Sequence, residues 1–534
     1  MMAMVRMKTF VVVLLVVAES PCLAAATYTT ADCSRTAFQN AITSASDGDA
    51  VQGPLAGGSA TWTTAITTTK SLVFNGNGCV ITLSGNDAIM MISTNASVYP
   101  RMTNFTFTGS NDQAAVMIEG NNPHFRVDHN HFTNLTHRSI TVDYNSVNLN
   151  STQTYGVIDH NTITNTNSYA AINVYGRNDN WFNDANYGTA SAMYIEDNTI
   201  SWSTGIMGAG NQDAVDGEAG ARVVIRHNDI TDGMLVCHDL GSTPQARSCR
   251  MFERYNNTFH DDVHDSNAFG VLSYRGGNGM DFNNYIPINA SGNLGWERVI
   301  ATEIYRLTRA GGVPQDFMVG TAAHAVCSSF KGWCGSTQNP ENKACAFGSD
   351  CSSRVCNWDT DPPNDNACGT SYTGTHYISI ANIDRPGGAS PTGYPARDQN
   401  GVSKDDPTTH AQTAAAEPSY SWNLMDSNNG NAVITGTTAV DYSNAGNYIL
   451  PNREFYQQVI GFTGATGAGV GLLSARPSTC TPKVGYWATD TNTLYQCGST
   501  NTWSTYYSPY TYPHPLVSGS GGPAPPTGLT AVTQ

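Results

Sequence analysis

The side chains best suited to acid–base chemistry lie between Asp213 and Arg275. Asp213, Asp216, Glu218 and Arg222 come first, then His238, Asp239, Arg250, Glu253 and Arg254, then His260, Asp261, Asp262, His264, Asp265 and Arg275. Carboxylates and imidazoles pass protons, and a guanidinium clamps a carboxylate. Asp216, His238, Asp239 and Arg275 form the candidate catalytic set, with Glu218, Arg222 and Arg254 as candidate substrate contacts. The plainer alternative is a set of solvated turn residues with the arginines paired to acids. The same carboxylates admit Ca2+, although nothing in the sequence requires a cofactor. No dedicated metal centre is expected. His129 and His131 flank Asn130 without evident further ligands, and no Cys-x-x-Cys occurs. A lysine base is excluded here, because no lysine lies between Lys70 and Lys331.

These residues fall inside a repeat. A short phrase ending in Asn recurs: Val127-Asp128-His129-Asn130, Ile158-Asp159-His160-Asn161, Ile195-Glu196-Asp197-Asn198, Ile225-Arg226-His227-Asn228, Arg254-Tyr255-Asn256-Asn257 and Asp281-Phe282-Asn283-Asn284. The spacing of about 30 residues is that of a repeat architecture, and its variation places loops of different length on a constant core. Each phrase reads as a strand, an Asn and a second short strand, with further strand candidates between phrases such as Ser139–Val142 and Ala171–Val174. One such unit cannot bury its own apolar face, so units must stack into parallel sheets. Asn suits the corner, since it tolerates left-handed backbone angles and its amide can bond the Asn of the next unit.

Composition bounds the rest. The chain has 534 residues, a net charge of −16 and only 13% charged residues. That acid excess argues against nucleic acid as a partner, because a polyanion needs a basic face. Arg6 and Lys8, the apolar run Thr9–Ala18 and the small residues Ala24 to Ala26 read as a secretory signal peptide over residues 1–26, and no later stretch suits a transmembrane span. Of 13 cysteines, Cys33 with Cys79, Cys237 with Cys249 and Cys480 with Cys497 are the expected pairs. Cys327, Cys334, Cys345, Cys351, Cys356 and Cys368 form a dense group whose pairing stays open. Disulfides at this density suit a secreted or cell-surface chain.

The Asn-ended phrases resemble the coils of right-handed parallel β-helix proteins, the pectin-lyase-like superfamily. Cys33–Ala45 resembles the short helix that caps such stacks, and Tyr394-Pro395-Ala396-Arg397-Asp398-Gln399 together with Tyr507-Ser508-Pro509-Tyr510-Thr511-Tyr512-Pro513-His514-Pro515 is similar to a group of secreted bacterial β-helix repeat proteins without an established activity. The resemblance implies an all-β fold: a right-handed parallel β-helix with an N-terminal cap, a Cys-rich insertion and a small C-terminal β module. The expected divisions are a cap with first coils over 27–98, repeats over 99–326, the insertion over 327–369, last coils and long loops over 370–474, the module over 475–516 and a Gly/Pro linker over 517–534. In the module, Trp487, Trp503 and Tyr507 suit stacking on sugar rings, or else pack it onto the last coil.

Two function classes follow. One is a secreted or surface protein that binds extracellular polysaccharide or serves as a rigid scaffold. The other is a polysaccharide-degrading enzyme, a uronate lyase before a glycoside hydrolase, acting through the Asp213 to Arg275 patch. The missing lysine and the absence of a paired-aspartate hydrolase pattern favour the first, while the history of the fold favours the second.

Overall fold

A computed structural model of the chain describes residues 26–92, 98–120, 124–143, 154–165, 170–202, 213–238, 248–262, 270–289, 296, 298–302, 333–334, 356–357, 398–405, 412–413, 415–442 and 449–517. Residues 1–25 of the expected signal peptide and nearly all of the Cys327–Cys368 group lie outside the described residues, as does Asp239.

The fold is β-rich and its principal sheets are parallel, as the repeat requires. Each strand pairs with its counterpart one repeat further on. Arg126–Asp128, Gly156–Asp159, Met193–Glu196, Arg222–Arg226, Met251–Tyr255 and Asn278–Phe282 form one such ladder. Past the Asn corner, His131–Leu135, Thr162–Thr164, Thr199–Ser201, Asp229–Thr231 and Thr258–His260 form a second. The two share one 21-stranded sheet, and a separate 10-stranded sheet carries the strands between phrases. That shorter sheet runs through Ala114–Glu119, Arg138–Val142, Ala170–Tyr175, Asp213–Glu218, Met234–Cys237, Leu272–Tyr274 and Ile300–Thr302. Alternate side chains of both sheets, among them Ile158, Ile195, Ile225, Ile172, Val215 and Leu272, meet in one core. The helix Arg35–Ser44, capped by the Ser34 side chain on the Ala37 N–H, packs Phe38 and Ile42 over the first strands. It covers an edge that would otherwise be open.

The corner is an asparagine ladder. Asn130, Asn161, Asn198, Asn228, Asn257 and Asn284 are buried, and each of the first five donates its Nδ2–H to the Oδ1 of the next at 3.0–3.1 Å. The same Oδ1 also accepts the backbone N–H of the preceding ladder residue, as Asn161 does from Asn130 at 3.0 Å. The left-handed angle falls one position earlier than expected. His129, His160, Asp197, His227, Asn256 and Asn283 have φ between 53° and 57°, while the ladder asparagines have none. The Asn is kept for its hydrogen bonds, and its exposed or half-buried neighbour takes the turn.

The expected pairs Cys33–Cys79, Cys237–Cys249 and Cys480–Cys497 are formed. The C-terminal strands Ala468–Gly471, Gly485–Ala488, Thr493–Ser499 and Thr502–Tyr507 make a four-stranded sheet, which begins some residues before the expected start at 475. Among the described residues, no helix is long and apolar enough to cross a membrane.

Candidate functional site

Register on the shorter sheet decides which acids meet. In Asp213–Glu218, Val215 joins the core and Gly217 lies so close to Phe252 that a methyl group there would meet the ring at 2.8 Å. Alternation therefore sends Asp216 and Glu218 to the outer face. Asp213 pairs with Met234 and Val215 with Leu235, so one extra residue, Ala214, sits opposite no partner. Such a bulge re-aims the side chains beside it. On the next strand the His238 N–H donates to the Gly217 carbonyl at 2.9 Å, and on the one after, the Arg275 N–H donates to the Cys237 carbonyl at 2.9 Å. Glu218, His238 and Arg275 thus occupy successive rungs about 4.8 Å apart.

The side chains then touch. His238 Nδ1 is 3.1 Å from Asp216 Oδ2 and 3.7 Å from Glu218 Oε1, and its Nε2 is 3.2 Å from the Arg275 guanidinium. Asp216, Glu218 and Arg275 are each less than a tenth exposed. Two contacts tie residues 248 and 249 to this rung. Ser248 Oγ donates to the His238 carbonyl at 2.6 Å, and Cys249 closes its disulfide on Cys237, next to His238. Gly277, at φ 72°, turns the chain directly beneath that disulfide.

Burial opposes charge on His238, but Asp216 and Glu218 outweigh it and hold the imidazole well above the usual histidine range. The Arg275 contact pulls the other way, because a guanidinium N–H facing Nε2 needs a lone pair there. The ring that fits this contact is neutral, with its hydrogen on Nδ1 toward Asp216. Asp213 is wholly buried, and burial, then repulsion from Asp216, pushes its carboxyl up to about 8. Both Asp213 oxygens and Asp216 Oδ1 make no hydrogen bond among the described residues. The arrangement holds a carboxyl able to exchange a proton near neutral pH beside two groups able to carry positive charge. One ligand atom from each of Asp216, Glu218 and His238 lies within 4.8 Å of the others, the only such group among the described residues.

The sequence-level set divides. Asp216, Glu218, His238 and Arg275 come together, and Asp239 lies outside the described residues. Arg222 sits apart, on the larger sheet, where its guanidinium donates to the Asp184 carbonyl at 2.7 Å. Arg254 is not on a surface at all. It points inward, pairs with Asp281 at 2.6 Å and donates to the Leu235 carbonyl at 2.9 Å, across the core. Trp487 is buried 4.9 Å from Trp422, and Tyr507 is buried with its hydroxyl donating to Glu253 at 2.6 Å. Half-buried Trp503 donates to the Pro477 carbonyl at 2.7 Å. All three rings are engaged in packing the module. Asp213 belonged to the patch without a role of its own, and its pairing bulge has no signature in the sequence.

No protein-family model matches the chain, and no curated protein matches it either.

Proposed function

We propose that the chain is a secreted right-handed parallel β-helix protein whose Asp213 to Arg275 site acts on a uronate-bearing polysaccharide by β-elimination. The helix reading is supported by parallel ladders in which every strand pairs with its counterpart one repeat on, together with the general right-handedness of parallel crossovers. Secretion is supported by three disulfides.

The observation that carries the activity is the chain of contacts Asp216–His238–Arg275 beside a buried Asp213 with no hydrogen-bond partner among the described residues. Elimination needs a base for the proton next to the uronate carboxyl group and a cation to neutralise that carboxylate. Arg275 receives the carboxylate. Neutral His238, with its lone pair on Nε2, takes the proton from C5, the electrons form the C4–C5 double bond as the C4–O bond breaks, and the departing glycosidic oxygen takes a proton from water. No lysine is needed. The test is the ultraviolet absorbance of unsaturated uronate during incubation with a panel of acidic polysaccharides. The expected result is a rise with one polymer that Arg275→Ala abolishes. A flat trace with every polymer, from protein that melts cooperatively, removes the enzymatic reading.

Burial favours a second reading, since Asp216, Glu218 and Arg275 are each less than a tenth exposed. On that reading the chain is a rigid surface scaffold or carbohydrate-binding protein, and the cluster only fastens neighbouring rungs.

A further inference from the structure

The Asp216, Glu218 and His238 group is built for something more positive than a proton. Its His238 Nδ1 lies 3.1 Å from Asp216 Oδ2 and 3.7 Å from Glu218 Oε1. A zinc ion with ligands at about 2.0–2.2 Å and tetrahedral angles sets its ligand atoms roughly 3.3 Å apart. The two measured separations bracket that value, and all three ligand atoms fall within 4.8 Å of one another. The three groups come from two adjacent rungs, with Asp216 and Glu218 on the same face two residues apart. Their placement is therefore a property of backbone register more than of a loop.

A second observation points the same way. Asp213 is 1% exposed and Asp216 4%, yet both oxygens of Asp213 and Oδ1 of Asp216 make no hydrogen bond among the described residues. Carboxylates removed from water without hydrogen bonds are costly unless a cation is at hand. Asp213, Asp216 and Glu218 bring three carboxyl groups to one spot. The positive groups facing them are Arg275 and the ring of His238 itself.

We infer that Asp216, Glu218 and His238 hold a first-row divalent cation of the zinc class, with a ligand position left open. Two oxygens and one imidazole nitrogen suit such an ion, whereas calcium takes six to eight oxygens and gains nothing from nitrogen. Three protein ligands with a free position are also what a zinc ion has when it acts on a bound molecule. The inference rests on the site proposed above and gives it a second means of neutralising a carboxylate. It also requires Arg275 to move. A ring bound through Nδ1 carries its hydrogen on Nε2, where the guanidinium now stands at 3.2 Å. Arg275 then turns away, and Asp213, which already feels its charge, is the carboxylate without a hydrogen-bond partner that can receive it.

The test counts metal directly. The full chain, freed of metal by a chelator, is dialysed against zinc chloride, with calcium chloride as competitor, and bound metal is measured by atomic emission. One zinc per chain is expected, undisturbed by calcium, with affinity at least about 100-fold lower in the isosteric variants Asp216→Asn and His238→Gln. Arg275→Met is expected to bind zinc several-fold more tightly, because it removes a competing cation. Zinc that binds the variants as well as the parent sits elsewhere, for example on thiols of the cysteine-rich segment, and overturns the assignment. So does displacement by calcium, or no binding at all. Circular dichroism of each variant separates loss of a ligand from loss of the fold. Zinc binding without turnover of any polysaccharide would sink the proposed activity and leave the metal site standing. Turnover by protein that holds no zinc would do the reverse.

Discussion

Two outer faces of the stack bury charge in opposite ways. On the larger sheet, the C-terminal segment lies across Glu253, Arg226, Glu196 and Arg126 and bonds each of the four. Glu253 accepts from the Tyr507 hydroxyl at 2.6 Å and from the Gly188 N–H at 2.7 Å. Arg226 pairs with Glu196 and donates to the carbonyls of Tyr510 and Thr511 at 2.8 Å. Glu196 also accepts the His514 N–H at 2.8 Å, and Arg126 pairs with Asp159 while reaching the Val517 carbonyl at 3.2 Å. On the shorter sheet, carboxyl groups equally removed from water keep oxygens with no hydrogen bond among the described residues. The first face is a fastening, where every buried polar atom needs its partner. The second has the incomplete satisfaction expected of a site that receives a ligand.

The largest effect should come from breaking the fastening. Arg226→Met leaves Glu196 buried without its ion pair and is expected to cost about 3–5 kcal/mol in chemical denaturation, with the C-terminal module becoming accessible to protease. A loss below about 1 kcal/mol, the range of an exposed pair, would mean that the strip is not a desolvated interface.

Stability should also fall as pH rises from acid toward mild alkali, against the usual trend. Burial lifts Glu253 from an ordinary 4.5 to about 7 and Asp213 from 3.8 to about 8. Each binds its proton more tightly folded than unfolded. Its contribution is therefore complete below the ordinary value and is lost as pH passes through 7 for Glu253 and 8 for Asp213. Asp128 runs the other way. Burial opposes its charge, but the Arg101 guanidinium and His129 outweigh it and hold the carboxyl at about 2, so its share is lost only when pH falls from 3.8 through 2. Melting temperature measured across pH checks both signs. Glu253→Gln should flatten the lower part of the alkaline decline and Asp213→Asn the upper part.

At alkaline pH, Asp213→Asn should itself be neutral or stabilise by about 1 kcal/mol, because it removes a buried charge that has no hydrogen bond. A clear loss of stability would show that Asp213 is structural and would dissolve the contrast between the faces. The smallest effect belongs to the rim of the fastening. Tyr512 bonds Asp197 at 2.7 Å while 44% exposed, so Tyr512→Phe should shift stability by no more than about 0.5 kcal/mol.

The sequence made the repeating parts legible because each rung repeats the same physical problem. An apolar alternation ending in Asn marks a strand and its corner, and the spacing of those phrases alone brings Asp216, His238 and Arg275 onto neighbouring rungs. Cys33 with Cys79 and Cys237 with Cys249 were legible from the positions of the cysteines that stand apart from the dense group. What stayed hidden depended on long-range docking or on one-residue shifts. The extra residue Ala214 has nothing in its type to announce it. The contact of Tyr507 with Glu253 spans 254 residues and has no local signal. By its type Arg254 reads as a substrate contact, but its alternation with Phe252 marks it as inward. The acid at the paired position of the next repeat, Asp281, was the available clue.

The C-terminal segment also sets how force enters the molecule. From Tyr507 at Glu253, through Tyr510 at Arg226 and His514 at Glu196, to Val517 at Arg126, it runs back down the stack against the order of the repeats. A pull on residue 517 therefore arrives beside Arg126, far from the last rung, and loads these contacts one after another like the stitches of a seam. The parallel ladders beneath bear no tension until the seam has opened, so the first mechanical event should be the peeling of the strap, with the stack still folded.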